Sequence, residues 1–272
     1  MEKLKEEVKT LARESGIDLV GVAPSERFTG APRGHRPKDL LRGARSVIAL
    51  AVRIPAGTLR TAPNYSFLQF GWLRLNEILN LAAYRLAIFL EDRGFISMPM
   101  PCARDSGAPR ILREEPEPEI RYMGSFSERH AAELAGLGTI GLSGCLITRE
   151  FGANVRLGSV LTTAPLPPDP PLEENLCIPE ECGYRCVKLC PYEAISREGT
   201  LSHFRCAAAR SGHDIGHYRK LSALPDLLVS SKAMAYTDSG PTTCAICQIR
   251  CPMDPRLCSL PKKMSRVRRG EA

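Results

Sequence analysis

The chain has 272 residues, 43% hydrophobic and 25% charged, with a formal net charge of +7. That composition suits a globular protein of one large and one small domain, and it excludes a fibrous repeat or a disordered chain. No uninterrupted apolar run reaches the ~18 residues of a membrane span, and the charged, helix-patterned segment 1–16 does not read as a signal peptide, so the expected location is cytoplasmic, without a membrane.

In chain order, Leu4, Val8 and Leu11 recur along one helical face, and Gly16 closes that helix. Residues 17–22 read as a short apolar strand, and 46–54 (SVIALAVRI) as a strand buried on both faces. Residues 66–92 read as one long helix closed by Gly94, and 95–100 as a further strand. A helix is expected over 127–137, with Ser127 and Glu128 suited to its first turn. Residues 146–148 and 158–163 read as strands paired with each other. The alternation predicts an α/β fold whose sheet can be mixed. Five prolines (Pro165, Pro167, Pro168, Pro170 and Pro171) mark 164–176 as a linker. The expected domains are therefore 1–165, an α/β cofactor domain; 166–260, a cysteine-rich domain; and 261–272, a basic tail. That tail sets Lys262, Lys263, Arg266, Arg268 and Arg269 against one acid, Glu271, and reads as a solvated terminus, with a nucleic-acid or acidic-partner contact as the functional alternative.

Eleven cysteines, an odd number, argue against a complete disulfide framework. The first group runs Cys177-x4-Cys182-x3-Cys186-x3-Cys190-Pro191, the second Cys244-x2-Cys247-x3-Cys251-Pro252, and Cys206 sits between them. A cubane cluster needs four thiolates, three from a tight loop and one from a distant cysteine followed by proline. In two-cluster ferredoxins that last cysteine ligates the other cluster. The crossing assigns Cys177, Cys182, Cys186 and Cys251 to one [4Fe–4S] cluster, and Cys190, Cys206, Cys244 and Cys247 to the second. Zinc also takes Cys-x2-Cys pairs, but two Cys-x3-Cys-Pro endings and eight thiols are the pattern of paired cubanes. The first loop is longer than the usual spacing, without loss of a ligand. Residues Pro191, Ala194 and Ile195 read as the start of a short helix against a cluster. Cys102, Cys145 and Cys258 read as small buried hydrophobes. Oxygen attacks exposed cubanes, so anaerobic or reducing conditions are expected.

There is no Walker A loop and no G-x-G-x-x-G. The glycines of Gly136-Leu137-Gly138-Thr139-Ile140-Gly141 suit either a backbone that closely approaches something flat or a tight helix-to-strand turn.

The run FSERHAAELAGLGTIGLSGCLITREFGANVRLGSVLTTAPL, residues 126–166, followed by the double cysteine array, resembles the epoxyqueuosine reductase and reductive dehalogenase superfamily. His35-Arg36-Pro37 with Ala44-Arg45-Ser46-Val47-Ile48 resembles its N-terminal portion more weakly. The resemblance implies a nitroreductase-like α/β (α+β) domain holding a base-off corrinoid such as cobalamin, beside a two-cluster ferredoxin-like domain. Electrons would pass from an external low-potential ferredoxin or flavodoxin through both clusters to cobalt. It further implies that Arg36, Gly136, Leu137, Gly138, Gly141 and the segment Val155, Arg156, Leu157, Gly158 and Ser159 line the corrin.

Against the family pattern, the acid that precedes the AGLG helix in epoxyqueuosine enzymes is replaced by Tyr122-Met123-Gly124-Ser125, and Leu142-Ser143 stand where a basic residue and Asn are usual. Tyr122 is then the candidate general acid and His130 the second polar candidate. His203, His213 and His217 lie between cluster ligands. The chain also lacks the helical extension that grips tRNA, which suggests a short branch of the superfamily. The leading expectation is an oxidoreductase, a corrinoid-dependent reductase of a small molecule, with tRNA set aside as a partner. The alternatives are an electron-transfer protein without its own substrate and an epoxyqueuosine-type tRNA reductase.

Overall fold

The computed structural model describes residues 1–62, 65–102, 125–202, 205–206, 228–230 and 244–257. Tyr122, His203, His213, His217, Cys258 and the basic tail lie outside the described residues. In chain order the described strands are β1 (Leu19–Pro24), β2 (Ser46–Arg53), β3 (Ser97–Met100), β4 (Thr139–Ile140), β5 (Leu146–Ile147), β6 (Val155–Thr162), β7 (Thr200–Ser202) and β8 (Leu228–Ser230). The helices are α1 (Glu2–Glu14), α2 (Pro37–Leu40), α3 (Ala56–Arg60), α4 (Tyr65–Leu68), α5 (Arg74–Glu91), α6 (Glu128–Leu134), α7 (Pro179–Cys182), α8 (Arg185–Lys188) and α9 (Ile246–Ile249).

The segment SVIALAV has no polar face to offer water. It forms β2, buried along its whole length except Arg53, at an inner position of a sheet ordered β1-β2-β6-β3. Both β1 with β2 and β3 with β6 pair antiparallel. Helix α5 turns Leu75, Leu79, Ala82, Ala83, Leu86 and Leu90 into the core, spaced to share one face. Helix α6 approaches β1 so closely that a Cβ on Gly21 would lie 2.4 Å from the Ala135 carbonyl oxygen.

Three local expectations change. The long helix expected over 66–92 is interrupted by a π-helical turn, Gln69–Leu73, between α4 and α5. The buried Phe67 ring lies over Gly71, where a Cβ would come within 2.8 Å of it, and a widened turn accommodates that side chain. The strand at 146–147 pairs with β4 in a hairpin, whereas β6 pairs with β3, so 146–148 and 158–163 are not partners. No helix follows Pro191: Ile195 bridges Leu201, and Ser196 N–H bonds to Thr200 O, making a small hairpin held by the Ser196 hydroxyl.

The chain divides into two units. The first comprises Met1–Arg53, Arg74–Gly138 and Arg156–Glu173; the second comprises Ile54–Leu73, Thr139–Val155 and Glu174–Ala272. A single cut at residue 165 does not describe this division. The proline-rich stretch up to Glu173 is packed rather than free. Ser46 Oγ donates to Ala164 O, Leu166 N–H donates to Ser46 Oγ, and Asp169 Oδ1 pairs with both Lys5 and Lys9. Among the described residues no helix is long and apolar enough to cross a membrane.

Candidate metal centre

The eight cysteines expected to hold clusters fall in the second unit, and Cys182, Cys186 and Cys247 sit on short helices. Helix α7 ends at Cys182 and is stopped by Gly183 in the left-handed region at φ +66°; α8 carries Cys186 and α9 carries Cys247. Cys177, Cys182, Cys186, Cys247 and Cys251 line one open pocket, together with Leu142, Ile147 and Met253. Burial pushes the Cys186 and Cys251 thiols up to about 12, and the neighbouring Cys177, Cys182 and Cys145 add to it. Burial likewise raises Cys177, against the opposing Leu142 N–H. Cys247 is raised by a hydrogen bond with Cys145, then by burial and by the nearness of Cys145, Cys206 and Cys244. Cys177, Cys182, Cys186 and Cys251 thus lie together with Cys247 at one pocket, and Cys206 and Cys244 lie near Cys247. Cys190 closes the segment before the Ile195–Leu201 bridge, where Cys186, Cys206 and Cys247 pack.

The donor set suits iron–sulfur chemistry. Two sulfurs accept backbone N–H groups: Cys177 from Leu142 at 3.4 Å and Cys190 from Ala194 at 3.3 Å. Such donors stabilise thiolate charge on a bound cluster. Among the described residues no three Cys, His, Asp or Glu side chains converge on a single metal ion. Cubane thiolates bind four separate irons and need not converge in that way.

Sequence reasoning missed two residues here. Cys145, read as an inert hydrophobe, is half-buried and faces Cys247. Nothing in the linear spacing marks it, because the hairpin β4–β5 carries it to the cluster cysteines. Asp254, just beyond Cys251-Pro252, is fully buried, accepts from Asn154 Nδ2 at 2.9 Å and pairs with Arg256 at 2.6 Å. Gly152 is required beneath it, since a Cβ there would lie 2.5 Å from Asp254 N.

The residues implied as corrin contacts face the chain itself. A Cβ on Gly136 would meet Pro170 O at 2.2 Å, one on Gly141 would meet Ile147 at 2.6 Å, and one on Gly158 would meet Cys102 Sγ at 2.5 Å. The Leu137 side chain lies against Gly21, and Gly138 is buried. Val155 and Ser159 are buried, Leu157 is half-buried, and Arg156 donates twice to Asn76 Oδ1. Arg36 is exposed and donates to Ala31 O. The His130 ring bonds to Ser127, the N-cap of its own helix. Cys102 is buried, and burial raises its thiol, as suits a packing residue. Glu128, read only as a helix-start residue, holds a buried carboxyl oxygen without a hydrogen-bond partner. Burial pushes its carboxyl up to about 8, and the neighbouring Ser159 hydroxyl offsets only part of the cost.

No protein-family model matches the chain. It is 27% identical over 241 residues to an epoxyqueuosine reductase of Bacillus anthracis, an alignment covering 76% of this chain and 56% of that protein. The chain therefore spans little more than half the length of that curated relative. Its fold is similar to an epoxyqueuosine reductase solved with an epoxyqueuosine-modified tRNA stem loop, at a TM-score of 0.60 and 21% identity, covering 97% of this chain and 68% of that one. It is also similar to a catabolic reductive dehalogenase in complex with 3-bromo-4-hydroxybenzoic acid, at a TM-score of 0.58 and 14% identity, covering 98% of this chain and 33% of that one. The superfamily resemblance seen in 126–166 and in the cysteine order thus holds, as does the mixed α/β class. Two expectations are corrected. The relatives carry the name of a tRNA-modifying reductase, which overturns the small-molecule corrinoid reductase. A relative solved on a tRNA stem loop overturns the setting aside of tRNA.

Proposed function

We propose that this protein is an iron–sulfur oxidoreductase of the epoxyqueuosine reductase kind, passing single electrons through two [4Fe–4S] clusters to a modified base of tRNA. What supports the reading is the pocket lined by Cys177, Cys182, Cys186, Cys247 and Cys251, with Cys206 and Cys244 near Cys247 and backbone N–H groups aimed at the Cys177 and Cys190 sulfurs. Cys177, Cys182, Cys186 and Cys251 hold one cluster; Cys190, Cys206, Cys244 and Cys247 hold the other. Bound clusters supply one-electron steps at low potential. Turning an epoxide into an alkene consumes two electrons and two protons and releases the oxygen as water, so two successive one-electron deliveries from an external ferredoxin- or flavodoxin-type donor balance it. The thiols, protonated when free because burial raises them, lose their protons as the clusters bind. Tyr122, standing where relatives carry an acid, is the proposed proton donor.

The test is anaerobic reconstitution with iron and sulfide, then incubation with a reduced donor and an epoxyqueuosine-bearing tRNA stem loop. About eight irons per chain, the spectrum of two reduced cubanes and loss of one oxygen from the oligonucleotide are expected. Eight irons without turnover would leave an electron-transfer protein, and zinc in place of iron would overturn both.

A further inference from the structure

Of the two N–H···S contacts at the expected cluster cysteines, that from Ala194 to Cys190 spans four positions, as a tight loop provides. The other comes from far away in the chain. Leu142 N–H reaches Cys177 Sγ across 35 positions, from the turn of the β4–β5 hairpin. That turn is built for the approach. Gly141 N–H bonds to Cys145 O and Gly144 N–H to Gly141 O, which curls residues 141–145 into a tight loop. Gly144 takes φ +73°, a region open to glycine at little cost. At Gly141 a Cβ would lie 2.6 Å from Ile147 Cδ1 and 3.3 Å from Cys177 Sγ, so a side chain there would push the loop off the sulfur. The Leu142 side chain packs with Cys186, Cys206 and Cys247, which fixes the peptide in place.

We propose that the Gly141–Cys145 turn is a redox-positioning element, which donates the Leu142 N–H to the Cys177 thiolate and thereby raises the reduction potential of the cluster that Cys177 holds. The inference rests on the iron–sulfur reading above and assigns Gly141 to a cluster. The physical basis is simple. A reduced cluster carries one more negative charge, a hydrogen bond to its sulfur stabilises that charge, and the potential rises. The Leu142 side chain serves only to hold the loop; its backbone N–H is the donor.

Potentiometric EPR on the reconstituted protein and three variants tests this. In Gly141→Ala and in Leu142→Pro, which lacks the N–H, one cluster is expected to shift to a more negative midpoint while the other stays put and the iron content stays at that of the parent. Leu142→Met keeps both the N–H and an apolar side chain of similar size to hold the loop, and is expected to leave both midpoints in place. Equal midpoints in all four proteins overturn the proposal. So that a variant losing its cluster does not blunt the test, the parent is also exchanged into deuterium oxide. An iron–thiolate stretching band of each cluster is expected to shift in the resonance Raman spectrum, one through Leu142 and one through Ala194, and an unshifted band for the cluster that Cys177 holds overturns the proposal. A parent that binds no iron would instead overturn the cluster reading itself.

Discussion

Glu128 is the residue whose chemistry departs furthest from its sequence context. An acid in the first turn of a helix is ordinarily a solvated partner of the helix dipole, yet this one has its Oε2 sealed away without a partner. With the folded value near 8 and the free value at 4.5, the native chain binds more protons than the unfolded chain between those limits, so stability falls as pH rises through that window. Glu128→Gln removes the titration. It is expected to leave the melting temperature unchanged near pH 4.5 and to raise it relative to the parent near pH 8.5. Equal pH profiles of the two proteins would mean that the carboxyl is not held neutral. At this scale the grouping of the cysteines was legible in their spacing, and Cys177, Cys182, Cys186, Cys247 and Cys251 do meet at one pocket. Cys145 and Glu128 were not, because their neighbours, Cys247 and Ser159, are brought to them only by tertiary folding.

Elements are pinned to one another by buried charge in both units. In the first, Lys5 and Lys9, one turn apart on α1, meet Asp169 Oδ1 at 2.8 and 2.9 Å, while Oδ2 accepts Val22 N–H of β1 at 2.8 Å. Burial opposes ionisation of Asp169, but the two lysines and the N–H outweigh it and hold the carboxyl below its usual range. The stabilisation is present above the free carboxylate value of 3.8 and is lost as pH falls through the depressed folded one. Asp169→Asn is expected to cost about 1–3 kcal/mol in urea unfolding at pH 7, and the deficit is expected to shrink on acidification. In the second unit Asp254 ties the chain after Cys251 to Asn154, while Arg256 reaches Ile54 O at 2.9 Å and Gln248 Nε2 of α9 bonds to Ala153 O at 2.7 Å. Asp254→Ala leaves Arg256 without its carboxylate and loosens the Cys251 segment. A loss of about 3–5 kcal/mol and a lower iron content after reconstitution are expected, and full iron content would show that Cys251 is placed without this anchor. Helix and strand positions were largely legible from apolar periodicity. The strand partners were not, since 146–147 and 155–162 carry equally apolar patterns and only the five-residue turn closing β4 on β5 decides their pairing.

Across the whole chain, the order of the cysteines could be read as chemistry, but the two-unit division could not. Residues 54–73 and 139–155 join the cysteine-bearing unit through contacts such as Asn154 with Asp254, a hundred positions apart, that leave no trace in local composition. Net charge is the other property of the whole chain, and it bears on the tRNA reading. At +7, with five of the basic residues in 261–272, the protein attracts a polyanion at long range, and each phosphate it neutralises releases a condensed counterion. Binding of a tRNA stem loop is therefore expected to weaken linearly in log–log coordinates with added salt, by about tenfold or more between ~50 and ~200 mM for a handful of phosphate contacts. Replacing Lys262, Lys263, Arg266, Arg268 and Arg269 with neutral residues is expected to flatten that slope if the tail takes part. The unmodified stem loop should show the same slope as the epoxyqueuosine-bearing one, because phosphates report position and not base identity. Affinity independent of salt would remove the electrostatic argument for tRNA, and a steep slope confined to an acidic ferredoxin would assign the basic charge to the electron donor.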